Sequence, residues 1–184
     1  MSLISWFDKG MTFGEYVDAM SVNKEQLQYI YSEVSIPEET VQKLTQLKEK
    51  NWKVVTLTAD WCGDALLNVP VIQKMMEIAN IETRFLIRDE NLELMDQYLT
   101  NGKSRSIPIF IFMDANGNEV KVWGPRSEEV EAVVAELKKD FPAKEDPNFQ
   151  EKQMAVLKTI REKLVENKAL WSSVIKSVEQ KFFS

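Results

Sequence analysis

Residues 53–65 read KVVTLTADWCGDA and contain the only cysteine of the chain, Cys62. The first six, Lys53–Thr58, form a run rich in β-branched residues that is typical of a strand. From about Cys62 to Ala79 the pattern becomes helical, so the stretch predicts a strand that leads directly into a helix. Cys62 then lies at the start of that helix, where unpaired backbone N–H groups and the helix dipole favour a thiolate.

Strand-like and helix-like segments alternate through the rest of the middle of the chain. After the first strand and helix, the pattern predicts a strand at Thr83–Arg88, a short helix over 92–99, strands at Ile109–Met113 and Glu119–Trp123, and a helix that Ser127 begins. The Asn116-Gly117 turn joins the last two strands as an antiparallel hairpin. The two opening strand–helix units imply parallel pairing with a right-handed crossover. The expected architecture is an α/β fold with a central mixed sheet in the order β-α-β-α-β-β-α.

Helical segments are predicted on both sides of this middle zone. The N-terminal residues contain no strand-like run. A polar linker with Pro142 and Pro147 leads into one long helix, predicted over Phe149–Phe182. Its apolar residues have helical spacing and form one seam, which could pack on the N-terminal helices or on a second chain. We expect this helix to pack on its own chain. The predicted organisation is an N-terminal helical extension (1–51), an α/β domain (52–140) and a linker with a C-terminal helix (141–184).

The composition excludes several classes of protein. The chain has 184 residues, 44% of them hydrophobic and 28% charged, which is typical of a globular domain with appendages. A single cysteine excludes a disulfide-built secreted domain and a thiolate zinc cage within one chain. The absence of histidine excludes Ser-His-Asp and Cys-His catalysis and histidine-based zinc sites. We therefore predict no metal and no other cofactor.

Charge and hydropathy bear on partners and location. The formal net charge is −6, and lysine and arginine are spread along the chain, so nucleic acid is not an expected partner. The first twenty residues lack the basic and apolar regions of a secretory signal. No stretch approaches the roughly 18 apolar residues of a membrane span. We expect a cytoplasmic protein with no membrane partner.

The middle zone resembles the thioredoxin superfamily over roughly residues 52–139. Trp61-Cys62-Gly63 is similar to the start of the thioredoxin active site, which implies that Cys62 takes the place of the attacking cysteine. Pro70 falls where thioredoxins kink the active-site helix, and Ser106-Ile107-Pro108 falls where the family keeps a cis-proline facing the thiol. Gly124 matches a family glycine after the fourth strand. The resemblance implies a thioredoxin-like fold, in a bacterial subfamily with helical extensions.

Two residues depart from the family pattern, and both concern thiol chemistry. Ala65 stands where thioredoxin has its second, resolving cysteine. Thr56 stands where thioredoxin has a buried acid that assists the thiol. The standard dithiol–disulfide cycle is therefore unavailable to this chain.

The candidate site surrounds Cys62, the predicted catalytic residue. The carboxylates of Asp60 and Asp64 disfavour a thiolate, and Arg105, on the loop that the fold brings near the thiol, is expected to offset them. We expect an exposed and modestly activated thiol, with Asp64 also stabilising the helix start and Arg126 acting as a surface or helix-start cation. The predicted substrate-binding residues are Trp61, Gly63, Asp64, Arg105, Ile107 and Pro108.

Three functions remain open. The preferred hypothesis is a thioredoxin-like redox protein in which Cys62 attacks mixed disulfides between proteins and small thiols, and an external thiol regenerates it. The alternative is a non-catalytic module whose groove at Trp61, Ile107 and Pro108 binds a protein or peptide, with the helical extensions contacting a partner. A third hypothesis makes Cys62 an oxidation sensor that dimerises through an intermolecular disulfide.

Overall fold

The computed structural model describes all residues, 1–184, and contains a four-stranded mixed sheet surrounded by helices. The strands are β1 (Lys53–Thr58), β2 (Glu82–Ile87), β3 (Ile109–Met113) and β4 (Glu119–Trp123), in the spatial order β2-β1-β3-β4. β1 and β2 are parallel, whereas β1 with β3 and β3 with β4 are antiparallel. The predicted fold class is confirmed, and β2 lies one residue earlier than predicted.

Nine α-helices accompany the sheet. They are α1 (Leu3–Lys9), α2 (Phe13–Ala19), α3 (Lys24–Glu33), α4 (Glu38–Thr45), α5 (Gly63–Ala79), α6 (Leu92–Met95), α7 (Glu128–Lys138), α8 (Phe149–Glu166) and α9 (Lys168–Phe183). α6 is shorter than the predicted helix over 92–99. The chain turns back there through a Thr100–Ser104 bridge, with Asn101 and Gly102 at positive φ. None of these helices has both the length and the apolar character needed to cross a membrane.

Helix α5 is the central helix of the molecule. Twelve of its 17 residues are buried, and α3, α4, α8 and α9 pack around it. A helix that is apolar on every side needs such a complete covering. Pro70 lies inside α5, in agreement with the resemblance. α1 packs against β1 and β2.

The prediction of one long helix over Phe149–Phe182 is wrong. The chain breaks at Asn167, whose φ of −88° and ψ of 92° are not helical and whose side-chain oxygen accepts a hydrogen bond from the Ala169 N–H at 3.0 Å. A straight helix over these residues would be about 50 Å long, and the break lets both halves lie against the body. The Trp171 indole donates to the carbonyl of Leu164 at 2.9 Å, which ties the end of α8 to α9.

Helix α9 connects the C-terminal region to both the N-terminal helices and the α/β core. Seven of its 16 residues are buried. Its partners are spread over α3, α4, β3, β4 and the start of α7, through the pairs Lys168–Glu33, Trp171–Tyr29, Glu179–Lys43, Phe182–Phe112, Ser177–Trp123 and Ser173–Ser127. The C-terminal extension therefore packs on its own chain.

Candidate functional site

Cys62 is the N-cap residue of α5, at the end of the turn that follows β1. Its thiol donates a hydrogen bond to the carbonyl oxygen of Ile107, with an Sγ–O distance of 3.4 Å. The Ile107–Pro108 peptide bond is cis, in agreement with the resemblance. Only 8% of Cys62 is exposed, and Ile107 and Pro108 are buried as well. The structure thus brings the predicted thiol and the predicted proline loop together, but it does not expose them.

Gly124 holds the proline loop in place from the other side. Its φ of +132° lies in the region that favours glycine, and a Cβ there would be 2.2 Å from the carbonyl oxygen of Pro108. No larger residue fits between the end of β4 and this loop. Glycine is therefore required at position 124 because the backbone after β4 and the backbone of the proline loop approach each other closely.

The positive charge beside the site comes from Arg126, not from Arg105 as expected. The Arg126 guanidinium binds the Asp64 carboxylate through two contacts, Nε–Oδ1 at 2.7 Å and Nη2–Oδ2 at 2.6 Å, and its Nη1 binds Glu131 at 2.6 Å. Arg105 instead forms an exposed ion pair with Asp96 at 2.7 Å. Since its guanidinium is bound to Asp96, Arg105 does not offset the carboxylates near the thiol as expected. Of the two roles that the sequence suggested for Arg126, the helix-start position is correct, because it precedes the α7 N-cap Ser127, whereas its side chain is largely buried.

Asp64 and Arg126 form a largely buried pair. Their side chains are 12% and 17% exposed, respectively. Burial raises the pKa of Asp64, while the hydrogen bond and charge of Arg126 act to lower it. The pair lines the cavity at the start of α5, and the negative charge of Asp64 acts on the Cys62 thiol.

Asp60 does not act on the thiol as expected. Its Oδ2 accepts hydrogen bonds from the backbone N–H groups of Ser21 and Val22, at 2.8 and 3.2 Å. Asn23 donates its side-chain N–H to the Asp60 carbonyl at 2.8 Å. Asp60 therefore fastens the loop between α2 and α3 to the turn after β1.

Trp61 is the exposed residue of the site, with 47% of its surface accessible. The guanidinium of Arg88 lies 4.8 Å from the centre of its ring, a cation–π contact. Arg88 also donates to the carbonyl of Arg105 at 3.1 Å. These contacts connect Trp61 to the ends of β2 and of the loop before β3.

The pKa of the Cys62 thiol is raised to about 11, opposite to the activated thiol that the sequence predicted. Burial is the main cause, and the negative charge of Asp64 adds to it. The backbone N–H groups of Ala65 and Asp64, together with Arg126, act in the other direction. The helix start does favour the thiolate as predicted, but the covering of the site outweighs it.

Helix α8 covers the start of α5, beside Cys62. A Cβ added at Gly63 would lie 3.4 Å from Cγ of Arg161 and 3.9 Å from Cδ1 of Leu164. Between α8 and the start of α5 is a cavity of about 200 Å³, lined by Trp61, Cys62, Gly63, Asp64, Arg126, Val134, Lys138, Leu157, Ile160 and Arg161. Sequence reasoning missed the contributions of α7 and α8. The apolar spacing of Leu157, Ile160 and Leu164 signalled burial, but not the surface against which they are buried.

A comparison of the sequence with family models shows to which family the chain belongs. The family model described as thioredoxin matches residues 10–138. The chain belongs to the thioredoxin family. The predicted superfamily is therefore confirmed, and the match includes α2, α3 and α4 but ends before α8 and α9.

Two solved structures of low sequence identity share this fold. A protein of unknown function from Pseudomonas aeruginosa is 16% identical, with a TM-score of 0.67 and 98% of each chain covered. An HIV epitope-scaffold is 15% identical, with a TM-score of 0.65, covering 98% of this chain and 99% of its own. Thioredoxin from Fasciola hepatica is 26% identical over 46% of this chain and 77% of its own, with a TM-score of 0.33. No curated protein matches the sequence.

The two departures from the thioredoxin pattern are buried in this member of the family. Ala65 is 1% exposed on the first turn of α5, and Thr56 is fully buried on β1. Neither side chain can resolve a mixed disulfide or accept a proton from the thiol at neutral pH. Cys62 is therefore the only cysteine at this candidate site.

Replacing Arg126 with alanine is expected to destabilise the protein. The change leaves Asp64 buried without its partner, and breaking a buried ion pair of this kind costs about 2 to 3 kcal/mol when some exposure remains. The pKa of Asp64 would rise further in the folded state, so the loss should be largest at neutral pH and shrink as acid protonates Asp64. Urea unfolding at pH 7 and pH 4.5 measures both effects.

The matched control is Arg105→Ala, which breaks the exposed pair with Asp96. Surface ion pairs contribute little, so its unfolding midpoint should stay near that of the wild type at both pH values. Equal losses for Arg126→Ala and Arg105→Ala would show that the Asp64–Arg126 pair has no special role in stability.

Proposed function

We propose that this thioredoxin-family protein carries out monothiol exchange at Cys62. The Cys62 thiolate attacks the small-thiol sulfur of a protein mixed disulfide, forming a new S–S bond while the bond to the protein sulfur breaks. The released protein thiolate takes up a proton. A second small thiol then gives up its proton and attacks the sulfur bound to Cys62, which releases a small-molecule disulfide and restores Cys62.

The arrangement around the sulfur is the observation that carries this proposal. Cys62 lies at the start of a 17-residue helix, and the backbone N–H groups of Asp64 and Ala65 act to lower its pKa. The Ile107 carbonyl is 3.4 Å from the sulfur, at the cis-proline loop. Since no second cysteine is present, an external thiol has to complete the cycle.

A non-catalytic binding module is the second candidate, and the burial of the Cys62 thiol favours it. Because burial raises the pKa of Cys62 to about 11, the thiol is almost entirely protonated at pH 7. Of the three residues predicted to form a peptide groove, Ile107 and Pro108 are buried and only Trp61 is exposed. Under this hypothesis a partner binds at the exposed Trp61 and no exchange takes place.

An exchange assay across pH separates the two candidates. The substrate is a protein mixed disulfide with glutathione, free glutathione is the second thiol, and Cys62→Ser is the control. We expect the wild type to release protein thiol faster than Cys62→Ser. Because the pKa of Cys62 is raised, the excess rate should increase with pH from 7 towards 10 and show no plateau near neutrality. Identical rates for the two proteins at every pH would reject exchange and leave the binding module.

A further inference from the structure

Helix α8 covers the thiol with a small set of side chains. Arg161 and Leu164 lie against Gly63, and Leu157, Ile160 and Arg161 line the same cavity as Cys62. Ile160 and Leu164 belong to the same apolar cluster as Cys62. Access to the sulfur from this side therefore depends on the position of one helix.

Helix α8 packs on α5 and α7 without a side-chain hydrogen bond or ion pair to either, and the Trp171–Leu164 hydrogen bond joins it to α9. Of its 18 residues only Ile160 and Leu164 are buried. Its side-chain ion pairs, Lys152–Asp146 and Lys158–Glu162, stay within the helix and the linker before it. No side-chain hydrogen bond or ion pair joins α8 to the α/β core or to the N-terminal helices. A segment with few buried contacts belongs to the low-stability part of a fold.

Helix α9 is held very differently. Seven of its residues are buried, and it forms ion pairs with Glu33 and Lys43 and hydrogen bonds with Trp123 and Ser127. The two helices meet at Asn167, where the backbone is not helical. The bond between the Trp171 indole and the Leu164 carbonyl keeps the end of α8 close to α9. The other end of α8 follows a linker that contains Pro142 and Pro147.

We propose that α8 is a lid over Cys62, which swings away from the body about Asn167 while α9 stays docked, so that the thiol reacts from the open state. The proposal names the regulation of the exchange site and, in that role, rests on the proposed function. Opening removes Leu157, Ile160 and Arg161 from the cavity and admits water to the sulfur. Burial is the main cause of the raised pKa of Cys62, so the open state also favours the thiolate.

The first test uses the wild-type protein without any substitution. Alkylation of Cys62 by iodoacetamide is followed at increasing urea concentrations below the unfolding transition. If α8 opens as a lid, the free energy of opening that the alkylation rate reports is smaller than the free energy of global unfolding. Its dependence on urea concentration is also weaker, because only the surface under α8 becomes exposed. A free energy and slope equal to those of global unfolding would overturn the lid. So would alkylation that is independent of urea, because the closed state would then react directly.

The second test weakens the lid and compares two positions on the same helix. Ile160→Asp places a charge at the buried contact, and Met154→Asp makes the same substitution at a position that is 59% exposed. We expect Ile160→Asp to raise the alkylation rate by about tenfold or more, and Met154→Asp to stay within about twofold of the wild type. Equal rates for the two variants would overturn the lid.

The outcomes for the lid and for the exchange function are distinct. Faster alkylation of Ile160→Asp with no exchange activity supports the lid and rejects exchange. Exchange by the wild type with no effect of Ile160→Asp on alkylation supports exchange and rejects the lid. Circular dichroism shows whether Ile160→Asp remains folded, and the wild-type urea experiment decides if it does not.

Discussion

Ending the chain after Asp140 is expected to abolish the cooperative fold. The truncation removes α8 and α9, and with α9 it removes seven buried residues that cover α5, α7 and the end of β3. Burial of one large apolar side chain contributes about 1.5 to 3 kcal/mol, so the loss is on the order of 10 kcal/mol, comparable to the whole stability of a typical domain.

Thermal unfolding and binding of a hydrophobic dye measure this effect. We expect strong dye binding, aggregation and no sharp melting transition for the truncated chain. The control ends after Phe182 and removes only Phe183, which is 42% exposed, and the terminal Ser184. It should melt close to the full-length protein. A monomer truncated after Asp140 with unchanged melting would contradict the assigned role of α9.

Replacing Ala65 with cysteine is expected to create an intrachain disulfide where none exists. Cys62 is the N-cap residue of α5 and Ala65 is the third residue of the helix. An N-cap side chain faces this third position, which is why capping side chains bond there. A disulfide needs Cβ atoms about 3.5–4.5 Å apart, which two cysteines at this spacing can meet. Alanine and cysteine are close in size, so the buried position should accept the change.

Mass spectrometry after mild oxidation tests the new bond. We expect the Ala65→Cys protein to lose two hydrogens as a monomer and to gain partial disulfide-reductase activity, limited by Thr56 in place of the buried acid. The control is the same variant with Cys62→Ser, which cannot close the bond. A persistent dithiol, or disulfide-linked dimers alone, would show that residues 62 and 65 do not share the helix start.

Local features of the sequence were sufficient for the elements that build the site. The bounds of β1, β3 and β4 agree with the alternation of β-branched and turn residues, because strand pattern and turn chemistry act within a few residues. Resemblance to thioredoxins added what no local pattern contains, namely that Pro108 lies beside Cys62. One local signal was overlooked. Asn167 lies at a seam position of the predicted long helix, but asparagine is also a good N-cap residue, and here it begins a new helix.

Long-range contacts determined the chemistry of the thiol, and only the tertiary structure contains them. Arg126 reaches Asp64 across 62 residues of sequence, whereas the sequence suggested Arg105, which Asp96 already holds. The covering of Cys62 by α8 likewise depends on how the C-terminal helices turn back at Asn167. The sequence by itself therefore determined the strand-to-helix turn and the cysteine that begins the helix. Packing decided the state of that cysteine, because the pKa of a thiol depends on the groups that bury it and not on its neighbours in sequence alone.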